Sequence, residues 1–214
     1  MRPLIVFLIS VGCRPDEALT LDWRDVDLKG KQVTLTLGKV NQKRWVVALR
    51  PVALRALACL PHRTGLVFRT WITADDDVRG PIGPGYRGGR FSGAWETACA
   101  KAGLPGEWHE WVGKNGRTQK RFDPVHNPYS TRHTFCTWFR CVYKDLQDLR
   151  DEIGWTTTRM GERYGKKMSR VYEPEIRAWW NDAVDLGLAE VEEVSCKIRA
   201  AAALKLKYPP RKSA

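Results

Sequence analysis

Two arginines, one lysine and one late tyrosine carry the chemistry this sequence could do. Arg14 lies at a helix start, Arg14-Pro15-Asp16-Glu17, a position where anions bind. Arg132 lies in Tyr129-Ser130-Thr131-Arg132-His133-Thr134-Phe135, on a second helix start. Ile153-Gly154-Trp155 follows, and Arg163-Tyr164 places a tyrosine nine positions after Trp155. A guanidinium is planar, always charged and offers paired donors, which suits phosphate oxygens better than lysine does. A tyrosine hydroxyl is a nucleophile that can form a covalent intermediate. Attack on a phosphodiester puts negative charge on its non-bridging oxygens and calls for cations fixed in advance. A lysine on a polar hairpin, Lys39, could give a proton to the leaving oxygen.

The elements that must position these groups are short. Leu4–Ser10 is an apolar segment that reads as the end of a buried helix closing at Gly12; a chain opening inside its own core suggests a fragment lacking an N-terminal part. Gln32–Leu37 alternates with period two and Trp45–Leu49 is rich in β-formers, so the two predict a hairpin whose tip, Gly38–Arg44, carries Lys39, Lys43 and Arg44. Pro51–Leu60 and Arg90–Ala102 read as helices, with residues 61–90 between them as a mobile insertion. Residues 104–128 read as a polar, basic loop in which Lys114, Arg117, Lys120 and Arg121 mix with Trp108, Trp111 and Phe122, a composition suited to nucleic-acid contact. Ser130 caps a helix through Val142. Helices are then expected at Asp145–Ile153, Thr156–Arg163 and from Pro174 to about Leu186, with Ala189–Lys207 helix-prone.

Composition narrows the function classes. The 214 residues carry 36 Lys+Arg against 24 Asp+Glu, a net charge of +12 that favours a polyanion partner. No apolar run approaches the ~20 residues of a membrane span, and no phosphate-loop Gly-x-x-x-x-Gly-Lys pattern occurs. The six cysteines form no CxxC pair and read as reduced core residues. His109 and His126 with Glu107 and Glu110 lack metal-ligand spacing, so we expect no metal and no cofactor. A protein of a reducing cytoplasm is expected.

Four stretches resemble one family. Gly12-Cys13-Arg14-Pro15-Asp16-Glu17-Ala18-Leu19 is similar to the Gly-x-Arg-x-x-Glu-x-Leu box of the tyrosine recombinases, the phage integrase family. Tyr129–Phe135 resembles their His-x-x-Arg-His-Thr-Phe box, Gly154-Trp155 with Tyr164 their Gly-His/Trp then Tyr pattern, and Lys39 their hairpin lysine. The resemblance implies an α+β, mainly helical catalytic domain with a small antiparallel hairpin or sheet in its N-terminal part. It covers roughly residues 4–166; we expect a core over 1–173 without the usual N-terminal DNA-clamping domain, and a C-terminal helical extension over 174–214. By resemblance, Arg14 and Arg132 hold the phosphate, Lys39 is the general acid, and Tyr164 becomes a 3′-phosphotyrosine, with Tyr172 in reserve and Tyr143 a weaker rival. Tyr129 and Trp155 stand where the family usually has histidine; neither is a good base at neutral pH. Glu17 would orient Arg14 and His133 would support the site from behind. Lys43, Arg44, Lys114, Arg117, Lys120 and Arg121 are the expected DNA contacts. The expected partner is double-stranded DNA, bound by a homotetramer that is a monomer when free. Two rivals remain open: a type IB topoisomerase-like relaxing enzyme and a catalytically idle DNA-binding module.

Overall fold

A computed structural model describes residues 1–37, 43–69, 90–164 and 168–188, apart from the side chains of Leu37, Arg90 and Tyr164. Helix α1 (Arg2–Val11) has Pro3 in its first turn and is apolar on almost every side, the pattern of a helix buried all round. Leu4, Phe7, Leu8 and Val11 enter one hydrophobic core, whereas Val6 enters a second. Helix α3 (Pro51–Ala58) divides in the same way, with Ala53 and Leu57 in the first core and Val52 and Ala56 in the second. These two helices form the wall between the cores.

The first core is covered by a three-stranded antiparallel sheet in the order β1 (Val26–Asp27), β2 (Gln32–Leu37), β3 (Lys43–Ala48). Its register pairs Val33 with Val47 and Leu35 with Trp45, so the inward positions alternate as the sequence requires. Helix α2 (Pro15–Leu19) and α4 (Arg90–Lys101) complete this half through Leu19, Phe91, Trp95 and Cys99. Within the expected insertion, Leu66 bridges Asp22, and Val67 and Phe68 are core residues, the Phe68 ring lying 5.2 Å from Phe7. Residues 70–89 lie outside the described residues.

The second core belongs to α5 (Ser130–Tyr143), α6 (Leu146–Ile153) and α8 (Glu173–Trp180), and α7 (Arg159–Tyr164) lies against α5 and α6. Phe135 and Phe139 of α5 meet Ile176 and Trp180 of α8, and Trp138 packs edge-on against Trp179. Helix α8 therefore folds onto its own chain.

Several boundaries differ from expectation. Ser130 is the first residue of α5 and Tyr129 its N-cap, with no side-chain cap; Asp145 is a true cap, accepting from the amides of Gln147 and Asp148. Helix α7 begins at Arg159, three residues late, and α8 ends at Trp180, where Asp182 takes a positive φ. The larger correction is residues 104–128, which are no loop. They form an antiparallel ribbon, β4 (Gly106–Val112) paired with β5 (Thr118–Pro124). Every residue of β4 is exposed. The ribbon is anchored by the buried Phe122, by Trp95 Nε1 donating to His126 O (2.8 Å) and by Arg121 pairing with Glu96 of α4 (2.6 Å).

A pH dependence follows from His62, whose Nε2 lies 2.9 Å from Leu66 O and whose ring meets Trp23 edge-on. Burial, seconded by the nearby Arg69 and Arg63, pushes its pKa below the ordinary histidine value. The unfolded chain therefore takes up a proton at higher pH than the folded one. Stability should fall as pH drops below ~6.5 and stop falling once the folded histidine also protonates. Urea midpoints measured across that range should show the slope, and His62→Gln should flatten it.

Candidate functional site

Glu17 is the point on which the site closes. Helix α1 ends at Gly12, whose φ of 71° is the left-handed conformation of a helix C-cap. The chain then turns through Cys13 into Arg14, the N-cap of α2, with Glu17 at N3. One Glu17 oxygen accepts the Arg14 amide (2.7 Å) and the other accepts Arg14 Nη1 (2.8 Å). An acid at N3 is what an open helix start calls for. From the other half of the molecule, Arg132 on α5 donates Nη1 to Gly12 O at 2.7 Å and brings the same nitrogen to 3.9 Å from Glu17.

The two arginines differ in exposure. The Arg132 side chain is 5% exposed, as is Glu17, while Arg14 is 41% exposed. Burial, then the neighbouring Arg14 charge, lowers the Arg132 pKa; Glu17 opposes this. Arg132 Nη2 is buried and makes no hydrogen bond among the described residues. Buried donors are usually paired, so this nitrogen is free to meet an acceptor from outside the described residues. The cluster of two guanidiniums and one carboxylate keeps one net positive charge.

Trp155 reaches the same place by a helix ending. Gly154 (φ 72°) caps α6, and the Trp155 amide returns to Arg150 O at 2.9 Å, a Schellman closure. The turn sets the indole against the Arg132 guanidinium, 5.2 Å from ring centroid to Cζ. Arg14, Arg132, Trp155 and Glu17 are therefore together.

Tyr129 is half-exposed beside the start of α5, and His133 is exposed on the same helix, one residue from the buried Arg132. Lys43 lies over the Trp45 ring at 4.9 Å, and Arg44 pairs with Asp25. Lys114 and Arg117 occupy the tip of the β4–β5 ribbon; Lys120 pairs with Glu110 (2.5 Å) and Arg121 with Glu96. Tyr143 is stacked on Trp180 and Tyr172 sits in a short 3-10 turn before α8. Lys39 and the side chain of Tyr164 lie outside the described residues. Among the described residues, no group of His, Cys, Asp and Glu could hold a metal, and no helix is long and apolar enough to cross a membrane.

Arg50, which nothing in the sequence singles out, ties the site-bearing elements together. It donates to Ser10 O near the end of α1 (3.0 Å) and to Glu152 on α6 (2.7 Å). Its guanidinium also lies over Trp180 (4.6 Å) and Phe135 (5.1 Å). Trp45 Nε1 adds a long bond to Glu152 O at 3.4 Å. A groove of about 490 Å³ opens beside this tie, between β3 and α5–α6, and none of the four clustered residues lines it.

This architecture is the fold of the tyrosine-recombinase catalytic domain. It is shared with the crystal structure of XerA recombinase at a TM-score of 0.51 and 18% identity, covering 82% of this chain and 55% of that one. In sequence the chain is similar to the integrase of Salmonella phage P22, 22% identical over 170 residues, which is 77% of this chain and 38% of that protein. The integrase from mycobacterium phage Brujita gives 18% identity over 92% of this chain and 56% of its own, with a TM-score of 0.46. No protein-family model matches the chain. The chain spans little more than half of these solved structures and well under half of the phage P22 integrase.

Three substitutions at two positions should show what the cluster contributes to the fold. Glu17→Ala strands a buried guanidinium; breaking such a pair costs roughly 3–5 kcal/mol, and the long Arg132 contact and the half-exposed Arg14 bring our expectation to about 2–3 kcal/mol. Glu17→Gln, which still accepts the Arg14 amide, should lose less. Gly12→Ala forces a left-handed backbone and drives a methyl into the Phe135 ring, so about 2–4 kcal/mol should go. Denaturant midpoints compare all three with the parent chain.

Proposed function

We infer that this chain is the catalytic part of a site-specific DNA recombinase or integrase that cuts and rejoins strands through a covalent 3′-phosphotyrosine. The observation that carries the reading is the convergence of Arg14 and Arg132, from opposite halves of the fold, on one buried carboxylate, with Arg132 Nη2 still unspent. A phosphate oxygen would supply the acceptor that nitrogen lacks. The family named by the similar phage integrase and by XerA recombinase agrees with strand exchange rather than relaxation.

The steps balance without an outside energy source. The Tyr164 oxygen attacks phosphorus as its hydroxyl proton passes to solvent water, the bond from phosphorus to the 5′ oxygen breaks, and that oxygen takes a proton from Lys39. The phosphodiester is exchanged for a phosphotyrosine of similar energy, so no ATP is consumed. A 5′ hydroxyl of a partner strand then attacks, returning its proton to Lys39, and the departing Tyr164 oxygen takes a proton back from solvent. Arg14 and Arg132 bear the charge on the two non-bridging oxygens. Trp155, stacked on Arg132, fixes that guanidinium, and Tyr129 offers a hydroxyl at the helix start. Lys43, Arg44 and the β4–β5 ribbon are proposed to contact double-stranded DNA, with a homotetramer as the working assembly.

Nicked duplex bearing a site selected from random-sequence DNA should trap a protease-sensitive protein–DNA adduct. Tyr164→Phe should abolish the adduct while binding persists; an adduct that survives would place the nucleophile elsewhere. Arg132→Lys should slow adduct formation about 10²–10³-fold, the cost of one oxyanion-stabilising group. Relaxation of supercoiled plasmid by monomers without site preference would replace strand exchange with a topoisomerase reading.

A further inference from the structure

Resting on the DNA-binding reading above, we propose that the tip of the β4–β5 ribbon, through Lys114 and Arg117, is a DNA phosphate contact separate from the catalytic cluster, while Lys120 and Arg121 are internal fasteners of the ribbon. The sequence treats these four cations alike; the structure does not. Lys120 lies directly across the ladder from Glu110 and pairs with it, and Arg121 reaches back to Glu96 on α4. Lys114 and Arg117 sit in the five-residue turn 113–117, closed by Gly113 N donating to Arg117 O (2.9 Å), and neither makes an ion pair among the described residues. The acids of the ribbon, Glu107, Glu110 and Asp123, all lie on its body. Positive charge is thus unspent only at the far end.

The ribbon is also placed and shaped for reach. Its base leads through residues 125–128 into Tyr129 and α5, the helix that bears Arg132. From Gly106 to Val112 the strand rises about 20 Å at ~3.4 Å per residue, a span of about six base pairs. Trp108, Trp111 and Val112 are exposed along it, and exposed aromatics beside cations suit nucleic acid. A core-forming role would have buried those side chains; only Phe122 near the base is buried.

The test is the salt dependence of binding to a long duplex of mixed sequence. Each phosphate contact contributes about 0.9 to the slope of log affinity against log salt. Lys114→Ala/Arg117→Ala should lower the slope by about 1.8, so that the advantage of the parent chain over the variant shrinks about tenfold between ~50 and ~200 mM salt. Lys114→Arg/Arg117→Lys should keep the slope, and Lys120→Ala/Arg121→Ala should leave it nearly unchanged. Shortening the duplex to fewer than about six base pairs on the flank the ribbon reaches should erase the difference between parent and tip variant. A slope change no larger at the tip than at Lys120 and Arg121 overturns the inference while the DNA reading stands. A parent chain with no salt-dependent DNA binding overturns both.

Discussion

A carboxylate shared by two guanidiniums is the constraint on which this structure depends. Arg132 is almost fully buried, and a charge taken out of water costs several kcal/mol unless it is paired and hydrogen-bonded. Arg14, close enough to depress the Arg132 pKa, makes that burial harder still. Glu17 resolves both problems, and it is fixed by closing the first turn of α2 through the Arg14 amide. The solution is incomplete, because the carboxylate meets Arg132 only at 3.9 Å and Nη2 has no acceptor among the described residues. A cluster that fully satisfied both arginines would be a structural salt bridge; this one retains a donor and a net charge, which is what the proposed phosphate would use.

The cluster lies on the seam between two cores, which explains why so much packing converges on α1 and α3. Arg14 is delivered by the end of α1, Trp155 by the end of α6, and Arg132 by α5, so the geometry requires the halves to be held in register. Gly12 supplies one contact, its carbonyl bonded to Arg132 and its missing side chain making room for Phe135. Arg50 supplies another, joining the end of α1, Glu152 of α6 and the aromatic faces of α5 and α8 in one side chain. Its stem and charge are largely enclosed, so it acts as packing as well as hydrogen bonding.

What the sequence made legible was local. Gly12, Arg14 and Glu17 belong to one cap-and-turn unit, and Gly154-Trp155 to one helix ending, so short-range chemistry marks them. Arg132 was legible only as part of a box; nothing local shows that it would bond to Gly12, 120 residues away. Arg50 follows a strand and precedes Pro51, and no spacing separates it from an ordinary surface arginine. The β4–β5 ribbon was missed because period-two reading needs one buried face, whereas all of β4 and most of β5 are exposed. Its turn did carry a signal, Asn115-Gly116, the strongest short-range hairpin mark, with Gly116 at a φ of 72°.

The same ladder that hid the ribbon from pattern reading gives its charges their meaning. In a flexible loop the four cations of residues 114–121 would be interchangeable, each free to find a phosphate or a carboxylate. Strand pairing removes that freedom: register sets Lys120 opposite Glu110, and anchoring on α4 sets Arg121 beside Glu96. Those two charges are paired within the protein, and among the described residues of the ribbon the cations of the turn are the ones without an ion pair. A net charge of +12 therefore overstates the unpaired positive charge that the ribbon presents. Where the cations are locked matters more than how many there are, at the ribbon as at the arginine pair.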